Sequence, residues 1–245
     1  MTEEKKVRLQ VFLAHSGVAS RRACGEYIAD GLVTVNGQLV TEPGFRVGEE
    51  DSVVFRRRRV YPVRRLEYIA LNKPEKYMST TRDPQNRPLA LDLLKPAFEL
   101  RLYPVGRLDF LSSGLIFFTN DGDFAQAVSH PSSGVEKEYL VETTREISEE
   151  FLREYQKGIV VEGERYRLKS WKLKGPRSAA LVLEEGKNRE LRNVFSARGL
   201  YPKRIHRVRI GHVSIKGLDS GKFRRLSRRE VETFLKKGKG RGSSN

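Results

Sequence analysis

Apolar positions in the first fifty or so residues change period once. Leu9, Phe12 and Leu13 fall at helical spacing, and a second helical run carrying Ala23, Tyr27 and Ile28 begins behind Ser20, a good N-cap, and closes at Gly31. The period then drops to two: Val33 and Val35 alternate into Asn36-Gly37, the strongest short hairpin signal, and Leu39-Val40 returns. The pattern predicts a separate module of two helices and a small sheet over residues 7–55.

Arg56 to Arg59, Pro62, Arg64 and Arg65 interrupt the pattern and predict a basic linker over 56–65. Residues 66–235 then interleave strand and helix signals. Strands are expected at Leu66 to Leu71, Leu115 to Thr119, Glu136 to Val141, Ile159 to Val161, Tyr166 to Leu173, Ala179 to Leu183 and Arg204 to Ile210. Helices are expected near Leu89 to Leu94, behind Asp121 or Asp123 until Pro131 stops the run, from Ser148 to Gly158, and along Leu191, Val194 and Phe195. Ser227 and Glu230 form a capping box for a last helix through Leu235. Residues 236–245 are Lys, Gly and Ser in the main, and disorder is expected there.

Charge narrows the partner. With 47 Lys and Arg against 31 Asp and Glu among 245 residues, the formal net charge is +16, which favours a nucleic acid over an acidic metabolite. No stretch reaches membrane-span length and the N-terminus is charged, so a cytoplasmic protein is expected. One cysteine, Cys24, excludes an internal disulfide, and the histidines show no metal-binding spacing, so no metal is expected. Arg21 and Arg22 sit in the first turn of the second helix, where the macrodipole opposes each charge by about 0.3–1 kcal/mol; phosphate contact would reverse that cost. Arg189 and Arg192 crowd another helix start, and Arg204, His206, Arg207 and Arg209 interleave with Ile205, Val208 and Ile210 to suggest a basic strand face.

The candidate chemistry centres on Val105 to Gly122. Asp109 follows Gly106 and Arg107 on a loop, Gly114 comes next, and a buried-strand run ends in Asn120-Asp121-Gly122. Two readings stay open on pattern alone: Asp109 caps a turn beside a solvated Arg107, or it is a reactive carboxylate. No nucleotide-cradling Gly-rich loop and no Ser/His/Asp arrangement accompanies it.

The string Gly-Arg-Leu-Asp, then Ser112, Gly114-Leu115, an apolar run and Asn-Asp-Gly resembles the catalytic loop of pseudouridine synthases of the RsuA and RluB type. Asn72-Lys73-Pro74, Lys137-x-Tyr139 and Glu185-Gly186-x-Asn188-Arg189-Glu190-Leu191-Arg192 are similar to the family's other motifs. Residues 7–55 resemble the αL RNA-binding module shared with a small-subunit ribosomal protein. Two positions depart from the pattern: Lys76 stands where a glycine is usual, and Asn193 where a second basic residue is common. The resemblance implies an α+β catalytic domain with a mixed, mostly antiparallel sheet, and isomerisation of a uridine in ribosomal RNA, 23S rather than 16S, without a cofactor. It implies Asp109 as the essential carboxylate, Arg192 as its partner and Tyr139 as the base-stacking residue. Arg107, Lys73, Arg189 and Asn188 are expected to bind substrate, and Arg21, Arg22, Arg204, Arg207 and Arg209 to dock the RNA. A monomer acting on ribosomal RNA or a subunit precursor is expected. The rival readings are a non-catalytic ribosome-assembly factor and a nucleoside hydrolase, which needs a second carboxylate.

Overall fold

A computed structural model of the chain describes residues 6–240. The chain forms two compact units that meet between Leu66 and Glu67.

In the first unit, helices Leu9–His15 and Arg21–Ala29 bury Leu9, Leu13, Cys24 and Ile28 against Val33, Val47 and Val53. The Ser20 hydroxyl accepts from the Ala23 N–H at 3.2 Å, as its N-cap position predicts. Val33–Val35 turns through Asn36-Gly37, both at positive φ, into Gln38–Leu39. On its other side it pairs with Val53–Phe55. The expected linker begins inside this sheet: Arg58–Arg59 pairs with Val54 and Phe55. The Arg56 guanidinium lies 5.2 Å from the Tyr27 ring centre and 5.3 Å from that of Phe55. The free edge of Val53–Phe55 and these cation–π contacts draw the first arginines into the fold.

The second unit is built on a nine-stranded mixed sheet. Its path runs Ser170–Gly175, Ser178–Leu183, Lys137–Thr143, Pro202–Ile210, Ser113–Thr119, Tyr68–Lys73 and Phe223–Arg225; Tyr103–Val105 and Val213–Ser214 pair off the path. Every pairing is antiparallel except that of Ser113–Thr119 with Pro202–Ile210, where only His206 with Ser113 and Arg207 with Gly114 are in register. One core gathers Ile116, Phe118, Val141 and Leu181 with Phe151, Leu152, Val194 and Phe195 of helices Glu149–Lys157 and Glu190–Ala197. The other gathers Leu115 and Phe117 with Phe124 of helix Gly122–Ser129 and Phe234 of helix Arg228–Gly240. Ser113–Thr119 is buried at every position, which explains its unbroken apolar run.

Gly114 is required at the parallel seam. Its φ is +109°, and a Cβ there would lie 2.3 Å from the Arg207 carbonyl oxygen. The Ser227–Glu230 capping box forms. The helix it starts continues past Leu235 to Gly240, into the stretch expected to be disordered, because lysines are fair helix formers and suit a helix C-terminus. Residues 241–245 of that stretch lie outside the described residues.

Candidate active site

The Asp109 loop leaves Tyr103–Val105, crosses one end of the sheet and re-enters it as Ser113–Thr119. A second loop holds it. The Ser79 hydroxyl donates to the Leu108 carbonyl at 3.0 Å and accepts from the Leu108 N–H at 3.2 Å, fixing the residue before Asp109. The Lys76 N–H donates to the Phe110 carbonyl at 2.6 Å, fixing the residue after it. Lys76 makes that contact at φ +63°, so the lysine adopts the left-handed conformation that the glycine usual at this position allows freely.

Helix Glu190–Ala197 brings Arg192 to the loop. Its Nε lies 3.7 Å from Asp109 Oδ2, an ion pair too long for a hydrogen bond. Its Nη2 donates instead to the Leu111 carbonyl at 2.7 Å and to Ser112 Oγ at 3.4 Å. Arg192 thus ties helix to loop while leaving the carboxylate's lone pairs available. Burial pushes the Arg192 guanidinium down from its ordinary value, opposed by the charge of Asp109.

Tyr139, in strand Lys137–Thr143, is a wall between two cavities. The smaller, of about 70 Å³, holds Asp109, Arg189 and Arg192; the larger, of about 220 Å³, holds Lys137 and Arg207; both are also lined by Arg107, Gly186 and Lys187. The sequence-predicted Asp109, Tyr139, Arg192, Arg107 and Arg189 therefore meet in one place. Asn188 does not join them: it lines a separate hollow with Tyr166 and Asn193.

A second expected substrate-binding residue lies away from both cavities. Lys73 is fully buried, its Nζ donating to the Pro74 and Tyr77 carbonyls, each at 2.9 Å. It braces the Asp109-supporting loop rather than facing a cavity. Burial pushes its ammonium down to about 8, with Arg207 adding to the shift and Glu75 and Asp109 opposing it. Lys137 is likewise pushed down to about 8, by burial and then by Arg207.

Arg207 was expected on an outer basic face, and the structure corrects this. Arg204 is exposed beside Glu142, and Arg209 pairs with Glu138 at 2.8 Å and Glu136 at 3.3 Å. Arg207 is 2% exposed. A β-bulge opposite Glu138 and Tyr139 sets Arg209 across from Glu138 but Arg207 across from Tyr139, so neighbouring arginines leave the strand on opposite faces. Arg207 Nε donates to the Leu115 carbonyl at 2.6 Å; Nη1 reaches the Tyr139 hydroxyl at 3.3 Å and the Arg107 carbonyl at 3.4 Å. Its Nη2 is buried without a partner, and no carboxylate pairs with it among the described residues. Leaving a buried donor unmade costs about 1–3 kcal/mol, more for a charged group. The alternation Ile205-x-Arg207 was the available signal. Ser79 and the buried Glu190, which accepts from the Tyr155 hydroxyl at 3.0 Å, gave none.

Comparison with known proteins decides the family. The family model for RNA pseudouridylate synthase matches residues 67–197, and that for the S4 domain matches residues 7–53. The chain belongs to the RNA pseudouridine synthase family. This synthase is 41% identical over 224 residues to an RNA pseudouridine synthase of Borreliella burgdorferi, with 90% of each chain covered. It is 35% identical over 234 residues to ribosomal large subunit pseudouridine synthase B of Bacillus subtilis, covering 92% of this chain and 94% of that one. A crystal structure of a pseudouridylate synthase superposes with a TM-score of 0.67 at 24% identity, covering 93% of this chain and 99% of that chain, and shares the fold. The enzyme thus combines an S4 RNA-binding domain with a pseudouridine synthase domain. Among the described residues no helix is long and apolar enough to cross a membrane.

Proposed function

We propose that this synthase converts a uridine of large-subunit ribosomal RNA to pseudouridine, with Asp109 as the essential carboxylate. The observation that carries the reading is the convergence of Asp109, its partner Arg192 and the phenol of Tyr139 on one cavity wall. The name of the Bacillus subtilis relative supports the large subunit.

The reaction breaks the bond from C1′ to N1, turns the uracil and rejoins it through C5. Asp109 acts at the sugar, either as nucleophile at C1′ or as the base that starts a glycal route, and Arg192 orients it. Tyr139 stacks on the base and takes the C5 proton. Arg107, exposed at the cavity mouth, fills the space that the uridine leaves in the RNA stack. Arg189, beside Asp109 in the same cavity, holds a flanking phosphate. Arg21 and Arg22, exposed at the start of their helix, dock the RNA through its phosphates, and Arg204 adds to that contact from the second unit.

The test is tritium release from ribosomal RNA labelled at uridine C5, run on each subunit's RNA separately and on precursor particles. Release from the 23S RNA by the wild type is expected. Asp109→Asn should release none, a loss of at least about 10³-fold, with RNA affinity within about twofold of wild type. Release from 16S RNA alone would reassign the subunit, and substantial turnover by Asp109→Asn would overturn the carboxylate's role.

A further inference from the structure

We infer that Arg207 is a catalytic residue of the isomerisation, the cation that holds the uracil while it is detached from the sugar. The inference rests on the activity proposed above and assigns a role that Asp109, Tyr139 and Arg192 leave open.

By either route, cleavage of the bond from C1′ to N1 sends the bonding electron pair onto the base. In the nucleophilic route an Asp109 oxygen bonds to C1′ as N1 departs; in the glycal route Asp109 removes a sugar proton as N1 departs. Both leave a uracil anion, its charge shared between N1 and the carbonyl oxygens. The anion must survive a turn before C5 attacks C1′, displacing the Asp109 oxygen in the nucleophilic route or, in the glycal route, as Asp109 returns the proton to the sugar. C5 then loses its proton to a base and N1 regains one. A positioned cation in a water-poor cavity lowers the barrier to forming such a species.

Arg107 and Arg189 are exposed and Lys187 is paired with Glu164; of the four cations set further in, three are committed. Arg192 serves Asp109 and the Leu111 carbonyl. Lys73 is closed over two carbonyls. Lys137 Nζ donates to the carbonyls of Val135 and Glu185, each at 3.2 Å. Two of the four line a cavity with a guanidinium nitrogen that has no hydrogen-bond acceptor: Arg192, whose Nε faces the Asp109 carboxylate at 3.7 Å, and Arg207, whose Nη2 has no carboxylate paired with it among the described residues. Arg207 also lies against the Tyr139 ring, 5.8 Å from its centre, and bonds its hydroxyl, so the stacking surface for the base and the free charge are one assembly. A buried guanidinium without a carboxylate is unstable ground for a resting protein and suited to an anion formed during turnover. The bulge that turns Arg207 inward, away from Glu138 and Glu136, keeps those carboxylates from neutralising it.

The experiment uses the full chain and single-turnover conversion of a target-containing ribosomal RNA fragment. Each fragment carries either uridine or 5-fluorouridine, whose fluorine stabilises the departing base anion. Removal of the charge in Arg207→Met should slow glycosidic cleavage of the uridine RNA on the order of 10²-fold, with RNA affinity within about threefold of wild type. With the 5-fluorouridine RNA the defect should shrink to about tenfold or less, because a better leaving group needs less help. Arg207→Lys, which keeps the charge, should fall between, and it carries the test by the same ratio should the methionine variant fail to fold. An equal defect on both RNAs, a loss of RNA affinity that accounts for the whole effect, or wild-type turnover would overturn the assignment. Absence of conversion by the wild type would overturn the proposed activity along with it.

Discussion

The two units handle arginine in opposite ways. In the S4 unit Arg21 and Arg22 stand exposed at a helix start with no acidic residue in that turn and no ion partner among the described residues. In the synthase unit several arginines are tied to carboxylates, as Arg209 is to Glu138, Arg224 to Glu230 and Arg225 to Glu67, and Arg192 and Arg207 are drawn inside, while Arg107 and Arg189 stay exposed at the cavity. Free exposed charge gives affinity that salt screens; enclosed charge gives chemistry that salt hardly touches. One residue type thus divides docking from catalysis according to burial.

The comparison can be broken most severely at Gly114. The backbone that carries Arg207 inward packs against this glycine, so Gly114→Ala should cost the synthase unit about 3 kcal/mol or more, read from urea unfolding. A variant with unchanged stability would show that the seam is loose and that Arg207 is not held. The next largest effect belongs to the other unit. Arg21→Ala with Arg22→Ala should weaken RNA binding about tenfold at low salt and flatten the plot of log affinity against log salt by about one unit per arginine. Conversion at saturating RNA should be unchanged; a fall there would mean that the exposed arginines also shape the site.

The smallest effect sharpens the picture of enclosed charge. Lys73 has its pKa depressed on folding from 10.5 to about 8. Between those values the unfolded chain binds the proton that the folded chain has lost, so stability rises with pH across that window and the full cost of burying the charge is present below about 8. Lys73→Met should therefore show a shallower rise in unfolding free energy from pH 8 to 10 than the wild type. Equal slopes would mean that the ammonium is well solvated where it lies.

Much of this was legible along the chain. The caps at Ser20, Ser148 and Ser227 are local hydrogen bonds, written in adjacent residues. The hairpin at Asn36-Gly37 is local too. The meeting of Asp109 and Arg192 rested on motif likeness, since no periodicity relates residues so far apart. The signal for Arg207, its alternation with Ile205, was masked for a specific reason: strict alternation would send Arg207 and Arg209 to the same face, and only the bulge separates them. The joining of Arg58–Arg59 to the small sheet was hidden because a run of four arginines reads as solvated, although the turn between the strands runs through two of them, Arg56 and Arg57, at positive φ. Ser79 has no signature because its partners are backbone groups brought near only by the fold.

The parallel seam also bears on how the enzyme comes into being. It joins residues more than ninety positions apart through two register pairs, while each side of it is an antiparallel set. Contacts that close so long a loop form slowly, after local pairing is in place. Asp109 belongs to one side of the seam, and Tyr139, Arg192 and Arg207 to the other. Neither side alone has a reaction centre, so during refolding the first appearance of pseudouridine should coincide with the slowest phase of structure formation, whatever earlier phases restore in helix or strand content.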